Sequence, residues 1–404
     1  MWRYALLNVV IVTHWTDGDV IPFINLAEFL IKKGNKVTIL THCIYESMVI
    51  SVGADFVPWE TKEQYKIFIN ELNSNILFAN DYNSIMNFRN KFENDEIKIN
   101  ECSKILNCCK SNNTIILAKN RSSLSAFMVS EKYKIPLVCC FMNPYEPFSM
   151  IAFDQIYGSV LTKQSNDLRK KYGLSEINSW LQWQSSPKVN IAFWPEWFFC
   201  ANQNWRNDIS NVGFPINANS VRNDMQNNYS LFDNKPILIT GGTGKMLSKK
   251  FFSVCIQACS NFDKKVIVLT KYKEMIPENL PNNVYWVDYI PNLNHYLDMM
   301  SVVIHHGGIG TLSGSILAGV PQLILGEFVD RPFNGSRAKE LGIAEYLPPA
   351  LWNVQNVYNC IIRLFSGKIN NQCKIFSSKI KKEDTFGNVE RIIEAKDDKF
   401  VIEI

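Results

Sequence analysis

Two histidines and three glycines crowd into six residues at His305-His306-Gly307-Gly308-Ile309-Gly310, with Thr311 and Leu312 following. The run comes after the apolar stretch Val302–Ile304 and opens a helical pattern. Glycines let the backbone approach a ligand closely, and a helix N-terminus presents free N–H groups at the positive end of its dipole. A diphosphate suits such a turn, and an ordinary strand-to-helix turn needs neither histidine pair nor glycine triplet. From Gly308 the pattern is G-x-G-x-x-x-G, one residue longer than the dinucleotide fingerprint. A second turn, Gly241-Gly242-Thr243-Gly244-Lys245, also lies between an apolar run, Ile237–Thr240, and a helical pattern. It is not a P-loop, because Ile239 stands where the first glycine belongs and Met246 where the magnesium-binding hydroxyl belongs. Two such turns in one half of the chain suit a diphosphate better than either alone.

The elements that must carry these turns are parallel βαβ units, read from apolar runs bounded by glycine and followed by helical patterns. Strands are predicted at Leu6–Thr13, Lys36–Leu40, Thr114–Ala118, Leu137–Phe141 and Val189–Phe193, with an amphipathic helix over Pro22–Lys33 that Gly34 stops. Residues Glu60–Asn112 are polar and helical in tendency, with little to anchor them. The asparagine-rich stretch Asn217–Asn234 has no apolar periodicity and reads as a linker. Beyond it, strands are predicted at Pro236–Thr240, Lys265–Thr270, Val284–Val287, Val302–His305 and Gln322–Leu325, with helices over Lys249–Ser260 and Leu312–Ala318. The fold class is therefore α/β: a Rossmann-like domain over 1–216, a linker over 217–234, a second Rossmann-like domain over 235–386 and a tail over 387–404. Ligand is expected at the carboxyl ends of the strands and between the domains.

Composition agrees. A chain of 404 residues, 47% hydrophobic and 20% charged, is globular and large enough for two domains. A net charge of +4 with no RRM, zinc-finger or helix-turn-helix signature argues against nucleic acid as a partner. Eleven cysteines without a CxxC pair or zinc spacing suit a reducing, cytoplasmic setting and point to no metal site. Arg3 followed by Ala5–Val12 imitates a signal peptide, but the run includes Asn8 and lacks a cleavage site, so a buried first strand is expected. No apolar run reaches the roughly 18 residues of a membrane span.

Three segments, His306-Gly307-Gly308-Ile309-Gly310-Thr311, Ala318-Gly319-Val320-Pro321-Gln322 and Asp330-Arg331-Pro332-Phe333-Asn334, resemble the donor-binding signature of the family 1 glycosyltransferases. The likeness extends to Thr16–Phe23, which resembles that family's first loop, and to Gly53–Pro58, Phe193–Phe198, Trp205 and Gly213–Pro215. With Leu269–Tyr272 and Val287–Pro291 it is most similar to the bacterial branch holding glycolipid rhamnosyltransferases and sterol or antibiotic glycosyltransferases. The resemblance implies the GT-B architecture, two facing Rossmann-like domains with an interdomain cleft that closes on the donor. It implies inverting transfer of a hexose or deoxyhexose from a UDP- or dTDP-sugar to a small hydroxylated acceptor such as a lipid or polyketide-like metabolite. No metal or cofactor is implied. Some relatives need an auxiliary protein, and a lipid acceptor would bring peripheral membrane contact. The rivals are a nucleotide-sugar epimerase or hydrolase on the same fold, and a catalytically silent sugar-nucleotide-binding subunit.

Carried over residue by residue, His306, Gly307 and the backbone at Gly308, Gly310 and Thr311 would hold the diphosphate. Gly242 and Thr243 match the opposing loop, where Lys245 adds a charge or is solvated, and Gly18 of the first loop is a further donor-binding candidate. Ile290 matches the backbone contact to the base, and Asp330 and Arg331 the pair that hydrogen-bonds the sugar. Asp19 matches the general base, since an attacking hydroxyl must lose its proton to a group within hydrogen-bond reach. The alternatives are that Asp19 caps a helix beginning at Pro22, or that His14 is the base. Arg331 stands where relatives have Gln, implying either a donor bearing a carboxylate or a surface pairing with Glu327 or Asp330. Gly314 lacks the ribose-binding carboxylate of plant relatives. Trp180, Trp183, Trp194, Trp197, Phe198 and Phe199 suit core packing or an acceptor platform, and Phe148, Met150 and Phe153 an acceptor-lining surface.

Overall fold

In the computed structural model the alternating pattern becomes two parallel sheets. Residues 6–75, 82–120, 123–200, 208–216, 232–244, 247–395, 400 and 402 are described. Lys245, Trp205 and most of the expected linker, 217–231, lie outside them.

The first sheet contains β1 (Asn8–Val12), β2 (Lys36–Thr41), β3 (Asp55–Pro58), β4 (Thr114–Lys119), β5 (Leu137–Phe141), β6 (Asn190–Ala192) and β7 (Ile209–Asn211), in the order β3-β2-β1-β4-β5-β6-β7. The second contains β8 (Ile237–Thr240), β9 (Val266–Leu269), β10 (Val284–Val287), β11 (Val302–His305), β12 (Gln322–Ile324) and β13 (Ala344–Tyr346), in the order β10-β9-β8-β11-β12-β13. All pairings are parallel. Every residue of β1, β4, β5, β8 and β11 is buried, as strands covered on both faces must be. Each sheet reverses its strand order beside its first strand, between β1 and β4 and between β8 and β11. Open α/β sheets bind ligands at the carboxyl ends of such a pair.

The chain divides into a first unit, Met1–Pro215 with Asp384–Ile404, and a second, Ile216–Glu383. The sequence placed these divisions at 216 and 386. The helix Thr385–Glu394 packs into the first unit: Val389 and Ile393 join the core of β1, β2 and β4, and Asn388 Nδ2 donates to Val212 O at 3.1 Å.

Three departures from the sequence reading follow from local chemistry. The first helix runs Asp17–Lys32, beginning five residues before Pro22, because Thr16 and Asp19 form a capping box. Residues 60–112 hold three helices, Lys62–Asn75, Tyr82–Phe92 and Asp95–Cys108, and an aromatic group anchors the first two. In it Phe68 lies 4.9 Å from His42 and 5.7 Å from Phe88, while Trp15 stacks on Phe88 at 6.1 Å. Residues Tyr145–Tyr172, left without an element by the sequence, form a 28-residue helix ended by left-handed Gly173. None of the helices, over the described residues, is long and apolar enough to cross a membrane. The cysteines are all thiols and not disulfides, eight of them buried.

Candidate active site

The second unit brings its two glycine turns together. Thr240 at the end of β8 pairs with His305 at the end of β11, so the following residues, Gly241–Gly244 and His306–Gly308, emerge side by side. The His306 ring fills the space between them: a Cβ on Gly242 would lie 2.6 Å from His306 Cε1, and one on Gly308 would lie 2.5 Å from its Nε2. Gly242 also has a φ of +75° and donates its N–H to Thr240 Oγ1 at 3.2 Å. Past the turn, the helix Ile309–Ala318 starts at Gly308, placing the N–H groups of Ile309, Gly310 and Thr311 at its open end. Gly310 and Thr243 are exposed, and no atom lies within 4 Å of a Cβ built on Gly310.

The two neighbouring histidines differ in role. His305 is fully buried, its Nδ1 accepts from Gly307 N–H at 3.1 Å, and its Nε2 therefore carries the proton donated to Gln322 Oε1 at 2.9 Å. Burial brings its pKa down to about 4, against a small opposing effect from Gln322. His306 is held far below the ordinary histidine range by burial, with Arg331 and His305 adding to the effect. Its Nδ1 is buried without a partner. A neutral imidazole with free hydrogen-bonding capacity thus sits at the mouth of both turns.

Asn334, quoted in the sequence motif without a role, ties this turn to the next loop. Its Nδ2 donates to Gly307 O at 2.9 Å and to Asp330 Oδ2 at 2.8 Å. Asp330 immediately precedes the helix Arg331–Glu340 and is held by that bond. Val329, an exposed β-branched residue, has a φ of +62°, a strained backbone of the kind concentrated at ligand sites. Arg331 is not a surface residue, contrary to the pairing expected at the surface: it is 5% exposed, and its guanidinium lies over the Phe328 ring at 4.8 Å. Burial lowers its pKa, while Asp330 and Glu327 oppose the shift. Ile290 is buried in a cluster with Leu269, Leu297 and Val303. Gly314 faces Asn294, whose amide oxygen occupies the place a side chain there would need.

In the first unit, Asp19 and His14 follow β1. Asp19 lies in the first turn of its helix, where Oδ2 accepts from Thr16 N–H and Oγ1, both at 3.3 Å. The capping alternative and the base alternative thus share one residue. Oδ1 lies 3.3 Å from Lys119 Nζ, at the end of β4, and 23% of the side chain remains exposed. Gly18 beside it is exposed, with open space around its Cα. His14 is sealed: its ring stacks on Trp59 at 4.7 Å, and Nε2 donates to Glu101 Oε1 at 3.3 Å. Its Nδ1 is buried without a partner. Burial lowers the His14 pKa despite Glu101. Glu101, penalised by burial, is nonetheless brought down to about 2 by Lys98, His14 and Ser125.

The aromatic residues divide by burial. Trp180, Trp183, Trp194 and Phe198 are buried, while Trp197 and Phe199 are half-buried. Phe148, Met150 and Phe153 all lie on the helix Tyr145–Tyr172. Met150 is fully buried and presents no surface to a ligand, whereas Phe148 and Phe153 are half-buried against Phe199 and Tyr157. Lys119, Glu146, Glu101 and Asn334 were missed. A lysine in the last position of an apolar strand, as in Ile115-Ile116-Leu117-Ala118-Lys119, was the available signal for the first of these. Among the described residues no group of three or more His, Cys, Asp or Glu side chains is placed to hold a metal ion.

The family described as erythromycin biosynthesis protein CIII-like, C-terminal domain, matches residues 253–384, all but the last of them in the second unit. A sterol 3-beta-glucosyltransferase of Leptosphaeria maculans is 23% identical over 443 residues, covering 94% of this chain, which spans 28% of that relative's length. Among solved structures, the glycotransferase of kitacinnamycin superposes with a TM-score of 0.73 at 14% identity, covering 95% of this chain and 97% of the other. A spinosyn rhamnosyltransferase complexed with thymidine diphosphate superposes with a TM-score of 0.66 at 13% identity, covering 95% and 99%. With strand order, glycine turns and these likenesses in agreement, the chain has the GT-B fold of the glycosyltransferases and is similar, along nearly its whole length, to family 1 of that class.

Proposed function

We propose that this protein is an inverting glycosyltransferase, moving a hexose or deoxyhexose from a UDP- or dTDP-sugar to the hydroxyl of a small apolar acceptor. The observation carrying the proposal is the His306 ring set between Gly242 and Gly308 at the strand-order reversal of the second unit. That arrangement offers a diphosphate a neutral imidazole, backbone N–H groups and a helix N-terminus. The similarity to a sterol glucosyltransferase and to a structure holding thymidine diphosphate supports the donor and acceptor classes.

The chemistry follows. The acceptor hydroxyl gives its proton to the Asp19 carboxylate as its oxygen bonds to the anomeric carbon. The bond from that carbon to the phosphate oxygen breaks, and its electron pair leaves with the nucleoside diphosphate. The added negative charge is met by the N–H groups at Ile309–Thr311 and by His306, a stabilisation placed in advance of the reaction. The donor is a substrate; the proposed mechanism uses no resident cofactor or metal. Asp19 is favoured over His14 because its carboxylate is open to solvent while the His14 ring is sealed under Trp59.

Asp19→Asn provides the test. Transfer should fall by about 10²–10⁴-fold, the usual contribution of a general base. Donor binding by calorimetry should not change. Unaltered transfer would remove Asp19 from the mechanism, and absence of heat with every UDP- and dTDP-sugar would remove the function.

A further inference from the structure

Beside the proposed base lies a buried charge arrangement that a capping role alone does not require. Lys119 Nζ sits 3.3 Å from Asp19 Oδ1 and 3.4 Å from Glu146 Oε1, joining the end of β4 to the first turns of Asp17–Lys32 and Tyr145–Tyr172. Lys119 is 6% exposed and Glu146 9%. Glu146 is anchored independently, because its Oε2 accepts from Met142 N–H at 2.7 Å. Asp19 is anchored through its other oxygen by Thr16. Asp17, the remaining acid of that first turn, is engaged elsewhere and accepts from the Tyr45 hydroxyl at 2.7 Å. One ammonium is therefore shared by two carboxylates, of which only Asp19 has appreciable access to solvent.

One carboxylate would satisfy a buried lysine. A second matters when the first loses its charge, since an unpaired buried ammonium is costly. We propose that Lys119 and Glu146 are positioning residues for the Asp19 base: Lys119 aims the ionised carboxylate, and Glu146 keeps the ammonium paired once Asp19 has taken the acceptor's proton. The inference rests on Asp19 being that base. Burial disfavours the charged lysine, yet Asp19 and Glu146 together raise its pKa. Burial raises that of Glu146, against the pull of Lys119 and the Met142 N–H.

The experiment compares wild type with Glu146→Gln, Lys119→Met and Lys119→Arg, using the sugar nucleotide that gives the largest thermal shift in a panel of UDP- and dTDP-sugars. Glu146→Gln keeps the acceptor for Met142 N–H and should lower kcat by about tenfold, leaving donor KM unchanged, as expected when a group is mis-set only as the barrier is crossed. Lys119→Met should do the same or more, and Lys119→Arg should restore most of kcat. Should Lys119→Met not fold, Glu146→Gln and Lys119→Arg decide the matter. A purely structural pair would lower the urea midpoint of Glu146→Gln while its folded fraction kept wild-type kcat, and that result overturns the inference. If the wild type binds no sugar nucleotide, or Asp19→Asn keeps full activity, the functional reading fails first and takes the inference with it.

Discussion

A methyl group added at Gly242 would press into the His306 ring, and its backbone conformation is one that residues with a Cβ rarely adopt. Gly242→Ala should therefore displace the imidazole and weaken nucleotide binding by at least tenfold, roughly 1.4 kcal/mol. Calorimetry with UDP and dTDP checks this, and undiminished heat would show that the two turns do not act as one cradle. Arg331 invites a second measurement. Its guanidinium already has Asp330 and Glu327 as electrostatic neighbours, so a carboxylate on the donor sugar would meet charge that is largely compensated. Neutral donors should be turned over at least as well as uronic-acid donors, and a clear uronic preference would reverse this reading. At this scale the sequence was informative where chemistry is backbone chemistry, because glycine spacing shows directly where a chain can approach a ligand. It was silent on Lys119 and Glu146, which pair only through the fold, and on Glu101, whose partners include Ser125 and His14, 24 and 87 residues away.

Among elements, the hydrophobic strands were the most legible. Runs such as Val9–Val12 and Ile237–Thr240 are continuous because parallel strands are covered on both faces. Their ends were less so: the expected strand Val189–Phe193 narrows to Asn190–Ala192, although Val189 O still accepts from Cys139 N–H at 3.0 Å and Phe193 N–H donates to Phe141 O at 2.9 Å. Pro22 drew the first helix too late, although a proline in the second turn removes only one internal hydrogen bond and the Thr16–Asp19 box outweighs it. The anchoring of the first two helices of 60–112 escaped the sequence reading because their partners, Trp15 and His42, follow the ends of distant strands. The helix Thr385–Glu394 yields a quantitative expectation. Ile393 is fully buried in the first unit, so Ile393→Ala should cost about 2–5 kcal/mol. Urea unfolding monitored on both units should show only the first unit's transition moved.

For the molecule as a whole, acid should be destabilising. His14, His305 and His306 have lowered pKa values in the fold, so each stays neutral after its unfolded counterpart has taken up a proton. The unfolded chain then binds more protons, and stability falls as pH drops below about 6.5. Glu101, at about 2, adds a loss beginning near the ordinary carboxylate range as pH falls toward that value. Glu146, raised, acts in the opposite direction. From His305 alone, at about 4, the loss between pH 7.5 and 5 should be about 2 kcal/mol. Urea titrations at the two pH values check it, and equal stabilities would contradict the buried neutral histidines.

The route of the chain has one more consequence. Residues 216–383 form the second unit without interruption, whereas the first is completed only by the return of Asp384–Ile404. Val389, Ile393 and Phe400 fill its core from that late segment. During synthesis, then, the second unit has all its residues before the first does. A graft of the second unit into another scaffold needs two joints, and an N-terminal fragment ending at Pro215 would leave an apolar gap where those three side chains belong.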